Sequence, residues 1–550
     1  MSARAAEGLL ALALAVLAAC RESPAVARAE LPLKRPPGPT GPAISAGDLM
    51  TRLYAFADDS MQGREAGTEG NLRATAYLAA EAARIGLVPA GEHGSYFQTL
   101  PLARRGVDAS RSRLAPESGA PLVLWRDYAP VVRGGTPRAV DGAAAVFGGR
   151  VAPDGTVGLT PAAAAGRFVV ILPREGDAAG RLSLAFAATR GPLSGAAGVA
   201  VVVTDEALAD VGRWAGRWDV RMARAADTVA VPSFFLVTRG AAERLLGAPL
   251  EGRRAGAPGG AVRGTPAFVN EPAPARNVVA VLPGSDPRLR GQYVALGAHS
   301  DHIGLGAPVD HDSLRLALAD RAGRGGDPAR ARAALDSVRR RRPPRADSVN
   351  NGADDDGSGS VALLEIAEAL AASSARPRRS VLFVWHTAEE LGMVGSRWFT
   401  DHPTVPLDSI VAQINVDMIG RGGADDVPGG GPRFLQVVGA RRLSRELGDL
   451  VEAVNRARAE PLALDWSWDA PTHPERIYCR SDHYMYALHG IPVAFFMTGL
   501  HRDYHQPTDE PQYIDYGHLV AVTDYVRELV ARIANRDHRP LVDGNGEPGC

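Results

Sequence analysis

The sequence predicts an α/β protein: a mostly parallel, mixed sheet sandwiched by helices, interrupted by a second, smaller α/β unit. Three observations carry this. From Asn277 onward, near-continuous apolar runs alternate with helical stretches, the pattern of strands covered on both faces. A separate alternation of short β-type runs and alanine-rich stretches fills 140–250, without any cluster of ligands or acid–base groups. At 550 residues the chain also exceeds what one compact core holds.

Taken in order, residues 1–20 read as a secretory signal. Arg4 precedes the apolar run "LLALALAVLAA", which ends at Cys20 and is too short for a membrane span. "LAAC" resembles the bacterial lipobox, in which the cysteine is lipid-modified and anchors the mature protein. Glu7 weakens the positive segment, so ordinary cleavage nearby stays open. Either route predicts an exported bacterial protein, periplasmic or a cell-envelope lipoprotein, with secretion left open. Residues 21–45, rich in proline, read as a tether. Residues 46–129 form the first part of the main domain. There Leu49, Leu53, Phe56 and Ala57 share one helical face, and Ala74, Leu78, Ala82 and Ile85 another. The glycine-rich turn "SMQGREAGTEGN" separates them.

The smaller unit is expected at 130–262, with strands "AAAVFGG", "RFVVILPR", "GVAVVVTD" and "VPSFFLV" and helical stretches at 180–190 and 239–247. Residues 263–540 resume the main domain. Its strands are "NVVAVLPG", "QYVALGAH", "SVLFVWHTA", "IVAQINVDM", "FLQVVG" and "IPVAFFMTG", and its helices lie near 359–372, 443–458, 481–489 and 517–535. Inside it, 307–349 is an arginine-rich helical insertion, and 541–550 is a polar tail. Lys+Arg (61) and Asp+Glu (62) nearly cancel, which argues against a nucleic-acid partner. The basic run "RRRRPPR" at 339–345 reads as a solvated loop. With three cysteines no disulfide framework is expected, and a Cys479–Cys550 bridge stays open.

In a parallel sheet the site lies beyond the carboxyl ends of the strands. His299, Glu390 and Asp417 fall there, and His505 follows the last strand by a short loop. With Asp355, from "GADDDGSGS", they make two imidazoles and three carboxylates. That set suits a pair of divalent cations, with one carboxylate able to bridge. Three consecutive aspartates exceed what helix capping needs. Asp301 is placed to orient His299, and Asp417 breaks an apolar run, where an unpaired carboxylate is costly. His505 reads equally as a ligand or an exposed loop histidine, and Tyr478 as an oxyanion donor or a packing aromatic. Glu389, beside Glu390, is free to move a proton. The chemistry is metal-assisted hydrolysis, with a metal-bridging hydroxide as nucleophile and Glu389 as general base. Spare carboxylates on Asp354, Asp356, Glu389 and Asp482 favour a substrate α-amine, while Arg480 and Arg421 keep a substrate carboxylate open.

"GAHSDH", "NGADDDGSGS", "AEELGMVGS", "NVDMIGR", "SDH" and "YHQPTDE" together resemble the co-catalytic di-zinc exopeptidases. That family includes bacterial leucyl aminopeptidase, aminopeptidase S, aminopeptidase Y and the glutamate carboxypeptidase group. The motifs occur in family order across roughly 46–125 and 266–535. The resemblance implies two Zn2+ ions. Asp355, the middle aspartate, would bridge them, with His299 and Asp417 on one and Glu390 and His505 on the other. It implies Glu389 as base, Tyr478 as oxyanion donor and peptides as substrates, most naturally through aminopeptidase action. A carboxypeptidase or glutaminyl-cyclase-like enzyme on the same scaffold, and an inactive binding lipoprotein, are the alternatives. The inserted unit resembles a protease-associated domain. The stretch 307–349 departs from the family pattern, which is short there.

Overall fold

The computed structural model describes residues 31–544 apart from 133–134, 178–190, 214–218, 223–228, 322–327 and 342. The leader with Cys20, the helical stretch expected at 180–190 and Cys550 lie outside these residues.

Nine strands make the central sheet: β1 (Val88–Pro89), β2 (Phe97–Leu100), β3 (Ala275–Leu282), β4 (Tyr293–His299), β5 (Ser380–His386), β6 (Ile410–Val416), β7 (Phe434–Val438), β8 (Ala463–Asp465) and β9 (Val493–Met497). Their order is β1-β3-β5-β4-β6-β9-β7-β8, with β2 also paired to β3. The middle of the sheet, β5-β4-β6-β9, is parallel. Antiparallel pairings flank it through β3 and β7. The helices are α1 (Ala46–Phe56), α2 (Glu69–Ile85), α3 (Gly359–Ala372), α4 (Val394–Asp401), α5 (Arg445–Ala457), α6 (His483–Leu488) and α7 (Tyr516–Ala534).

The uninterrupted apolar runs follow from burial on both faces. Every residue of β5 and β6 is buried. Phe383 and Trp385 point into a core shared with Leu53 of α1, Leu78 of α2, Leu364 of α3, Leu447 of α5 and Val526 of α7. Leu382 and Val384, one residue out of phase, meet Phe399 of α4 and Tyr486 of α6 on the other face. Burying one such side chain is worth about 1.5–3 kcal/mol, so these strands fix their register strongly. Ser45 caps α1 by accepting the Asp48 N–H, and Thr68 caps α2 by accepting that of Asn71.

One expected boundary changes. Residues 32–39 of the tether are exposed, while Leu31 and Ile44 lie against the main core and Lys34 pairs with Asp58 at 2.7 Å. The second unit is a seven-stranded sheet that begins before 130. It takes Arg113–Pro116 and Tyr128–Pro130 as well as Ala143–Arg150, Phe168–Leu172, Gly198–Val203, Ser233–Thr238 and Pro258–Thr265. Its extra strands "RLAP" and "PGGAVRGT" lack apolar periodicity, so the pattern could not reveal them. A three-stranded sheet of Leu102–Val107, Asp219–Met222 and Phe268–Pro272 joins this unit to the main domain.

The arginine-rich insertion is a hairpin stem, Leu305–Asp310 against Ala346–Val349, bearing helices His311–Arg321 and Pro328–Arg341. Among the described residues no helix is long and apolar enough to cross a membrane.

Candidate metal centre

Five side chains from five separate segments converge above the parallel strands. His299 is the last residue of β4 and Asp417 follows β6 directly. Glu390 lies on the loop after β5, His505 on the loop after β9, and Asp355 on the turn that leads into α3. His299 Nε2 stands 3.1 Å from Asp355 Oδ1 and 3.6 Å from Asp417 Oδ1. His505 Nε2 stands 3.1 Å from Asp355 Oδ2 and 3.0 Å from Glu390 Oε2. Asp355 therefore presents one carboxylate oxygen to each group. Backbone strain gathers here: Ala388, Met418 and His505 hold φ of 57°, 59° and 56°, a region non-glycine residues seldom occupy away from constrained sites.

The three aspartates divide their work. Asp354 accepts the Gly420 N–H at 2.6 Å and has its other oxygen 3.2 Å from His501 Nε2. Asp356 accepts three backbone N–H groups, those of His299, Gly359 and Met418. Both are spent on holding loops together, and only Asp355 faces the imidazoles. The backbone under it is fixed by Asp509, which accepts the N–H groups of Asp354 and Asp355. Arg64, from the glycine-rich turn, is fully buried and donates to the carbonyls of Ser300, Asn351 and Gly352. Gly63 permits that approach, because a Cβ there would stand 2.4 Å from the Gly304 carbonyl oxygen.

The remaining candidates separate. Asp301 is buried behind the site. Its carbonyl lies 3.1 Å from His299 Nδ1, and its carboxylate accepts the Glu389 N–H at 3.1 Å. It positions two neighbours and does not reach the cleft. Asp417 is oriented by Ser481, whose hydroxyl donates to it at 2.7 Å. Glu389 lines the cleft with Asp355, Glu390 and Asp417. Burial holds its carboxyl well above the usual range; His299 opposes this, and the charges of Asp482, Glu390 and Asp417 reinforce it. Tyr478 does not line the cleft. Its ring is sandwiched under the Arg442 guanidinium, 3.9 Å away, and against His483 and Tyr484. The phenol in the cleft wall is Tyr504, stacked on His505 with ring centroids 3.9 Å apart. Its pKa is raised by burial first, then by the charges of Asp355 and Glu390. The sequence carried that signal in "DYHQPTDE", where the tyrosine precedes the candidate histidine.

Asp354, Asp356 and Asp482 are unavailable to a substrate amine, since Asp482 sits 3.3 Å from His386 Nδ1 beneath the site. Arg421 is likewise occupied, bound by Asp426 and Asp503 and buried. Arg480 does line the cleft but donates to Glu475 at 2.6 Å. Apart from Ser481 the rest of the wall is apolar: Met418, Ile477, Phe495, Met497 and Leu500.

Clustered buried carboxylates are costly without cations. Here Asp355 Oδ2 and Glu390 Oε1 are buried with no hydrogen-bond partner among the described residues. Ligands of one tetrahedral zinc, at about 2.0–2.1 Å from it, stand roughly 3.3 Å apart, close to the separations above. Oxygen and imidazole donors suit such an ion. The residues present fit a metal centre. A third buried group, His311, Asp347 and Glu510, is instead an ion-pair network closed by Arg345, which donates twice to Glu510 at 2.7 Å.

That network ties the insertion to the loop carrying His505. Arg315 adds to it, donating to the buried Asp503 at 3.0 Å and lying 3.4 Å over the Tyr513 ring. Arg315→Ala is expected to lower unfolding stability by about 1–2 kcal/mol, measured by urea denaturation of the metal-free protein. An unchanged midpoint would mean the insertion does not brace that loop.

Residues 277–530 match the profile of peptidase family M28. Leupeptin-inactivating enzyme 1 of Streptomyces exfoliatus is 42% identical over 77 residues, 14% of this chain and 18% of its own length. Probable leucine aminopeptidase 2 of Aspergillus oryzae is 31% identical over 153 residues, 27% of this chain and 28% of its own. The chain thus aligns with less than a third of either relative. Among solved structures, BSAP, a zinc aminopeptidase from Bacillus subtilis, superposes with a TM-score of 0.50 at 15% identity, covering 92% of this chain and 100% of that one. That likeness concerns the fold alone.

Proposed function

From the match of residues 277–530 to the profile of peptidase family M28, we propose that the chain is a zinc-dependent metallo-exopeptidase releasing N-terminal residues from peptides. The observation that carries it is the convergence of His299, Asp355, Glu390, Asp417 and His505 in one cleft, with Glu389 beside them. Two zinc ions fit this donor set. His299 and Asp417 would hold one, Glu390 and His505 the other, and Asp355 has an oxygen toward each.

Zinc held there supplies Lewis acidity toward the scissile carbonyl and acidified water at neutral pH. Glu389 takes a proton on a carboxylate oxygen and returns it to the departing amine. Its burial, which disfavours the charged form, suits that exchange. Tyr504 donates its hydroxyl to the oxygen on which charge develops, the role expected of Tyr478. Met418, Ile477, Phe495, Met497 and Leu500 receive an apolar side chain.

The choice of an amino terminus is supported by a lining with four carboxylates and one guanidinium already paired to Glu475. It is also supported by the local similarity to probable leucine aminopeptidase 2 of Aspergillus oryzae. A panel of leucyl substrates with free and acetylated amines tests it, before and after chelation and zinc return. Turnover is expected for the free amine only, lost on chelation and regained with zinc. Release of C-terminal residues from N-blocked peptides would instead establish a carboxypeptidase. A zinc-loaded protein inert to the whole panel would leave the binding-protein alternative.

A further inference from the structure

The "GAHSDH" motif carries a second histidine, His302, three residues after His299. Its side chain is almost wholly enclosed, at 1% exposure. Nδ1 stands 2.8 Å from Glu390 Oε1 and 3.7 Å from Asp355 Oδ2. Yet neither ring nitrogen, nor Glu390 Oε1, makes a hydrogen bond among the described residues. A nitrogen and an oxygen this close but not aligned as donor and acceptor are placed like two ligands of one ion. The same spacing relates His505 Nε2 to Glu390 Oε2 and Asp355 Oδ2, at 3.0 and 3.1 Å. The His302 and His505 rings meet edge to face, 5.5 Å between centroids.

We propose that His302 is a direct ligand of the metal position built from Asp355, Glu390 and His505. This rests on the metallo-exopeptidase reading above. His302 then completes four protein ligands, two of them imidazoles, where the neighbouring position has three: His299, Asp355 and Asp417.

The fold makes room for the ring. Gly352 has a φ of 54°, and a Cβ on it would stand 2.5 Å from His302 Cγ. The His302 N–H points to the Arg64 carbonyl at 3.4 Å. As an ordinary core residue His302 would be anomalous, because neither ring nitrogen makes an aligned hydrogen bond and a buried polar group left unsatisfied costs about 1–3 kcal/mol. A metal removes the anomaly.

Four protein ligands are the mark of a site that holds its ion permanently; a position with fewer keeps room for water or substrate. The two positions therefore differ. The one with His302 fills first and empties last, and the one with His299 and Asp417 exchanges more readily.

The test is X-ray absorption at the zinc edge on the full chain loaded with one zinc per molecule, beside chelator-competition titrations of wild type, His302→Ala and His302→Gln. Wild type is expected to show two imidazoles on the single retained ion, and the variants one. The tighter of the two zinc affinities should fall at least about tenfold in both variants. Wild-type zinc with one imidazole overturns the assignment, even if the variants fail to fold. A wild-type chain that binds no zinc overturns this proposal and the metallo-exopeptidase reading together. Two bound ions with one imidazole each would remove only His302.

Discussion

Glu389→Gln is expected to keep the zinc content of the wild-type protein and to lose turnover by about 10²–10⁴-fold, the usual contribution of a positioned proton carrier. The substitution keeps the side chain's size and the Glu389 N–H bond to Asp301, so folding should be untouched. Among the described residues Glu389 is the one cleft carboxylate outside the metal-ligating groups. Loss of kcat with an unchanged KM would place the defect in the reaction itself. A variant that retained full activity would remove Glu389 from the chemistry. One that lost zinc as well would turn it into a ligand.

Asp355→Ala should be more severe, and different in kind. Among the described residues Asp355 is the only side chain with an oxygen toward each imidazole group, so its removal is expected to take one ligand from each position, empty the three-ligand one and reduce turnover to background. The fold should survive, because its neighbours hold the backbone. Asp356→Ala should behave in the opposite way, since three buried N–H groups lose their acceptor. That loss costs about 1–3 kcal/mol for each group left unpaired. Zinc analysis and urea denaturation of the two variants would separate a ligand from a brace. Retention of both ions by the Asp355 variant would refute its shared role.

Much of this was legible in the chain itself. The strands that carry the site are apolar throughout, so their period and their ends could be read, and His299, Glu390 and Asp417 fell at those ends for a topological reason. The α3 and α7 helices were found nearly to the residue because their apolar faces are long. What escaped had no periodic signature. Arg64 sits in a glycine-rich turn, and its role depends on three carbonyls more than two hundred residues away. Asp509 is one acid in a polar loop, and only the folded chain brings it beneath Asp355. Tyr478 and Tyr504 are both aromatic residues near candidate ligands. Sequence proximity could not tell that Arg442 covers the first and that His505 stacks on the second. Likewise the spare aspartates looked free for a substrate amine, because a sequence does not reveal which backbone N–H groups need an acceptor.

Diffraction from zinc-soaked crystals at the zinc absorption edge addresses the centre most directly. Two anomalous peaks are expected within the cleft, one contacted by His299, Asp355 and Asp417, the other by Asp355, Glu390, His505 and the proposed ligand His302. Crystals with no peak among these side chains, or with zinc only on surface residues, would contradict the account.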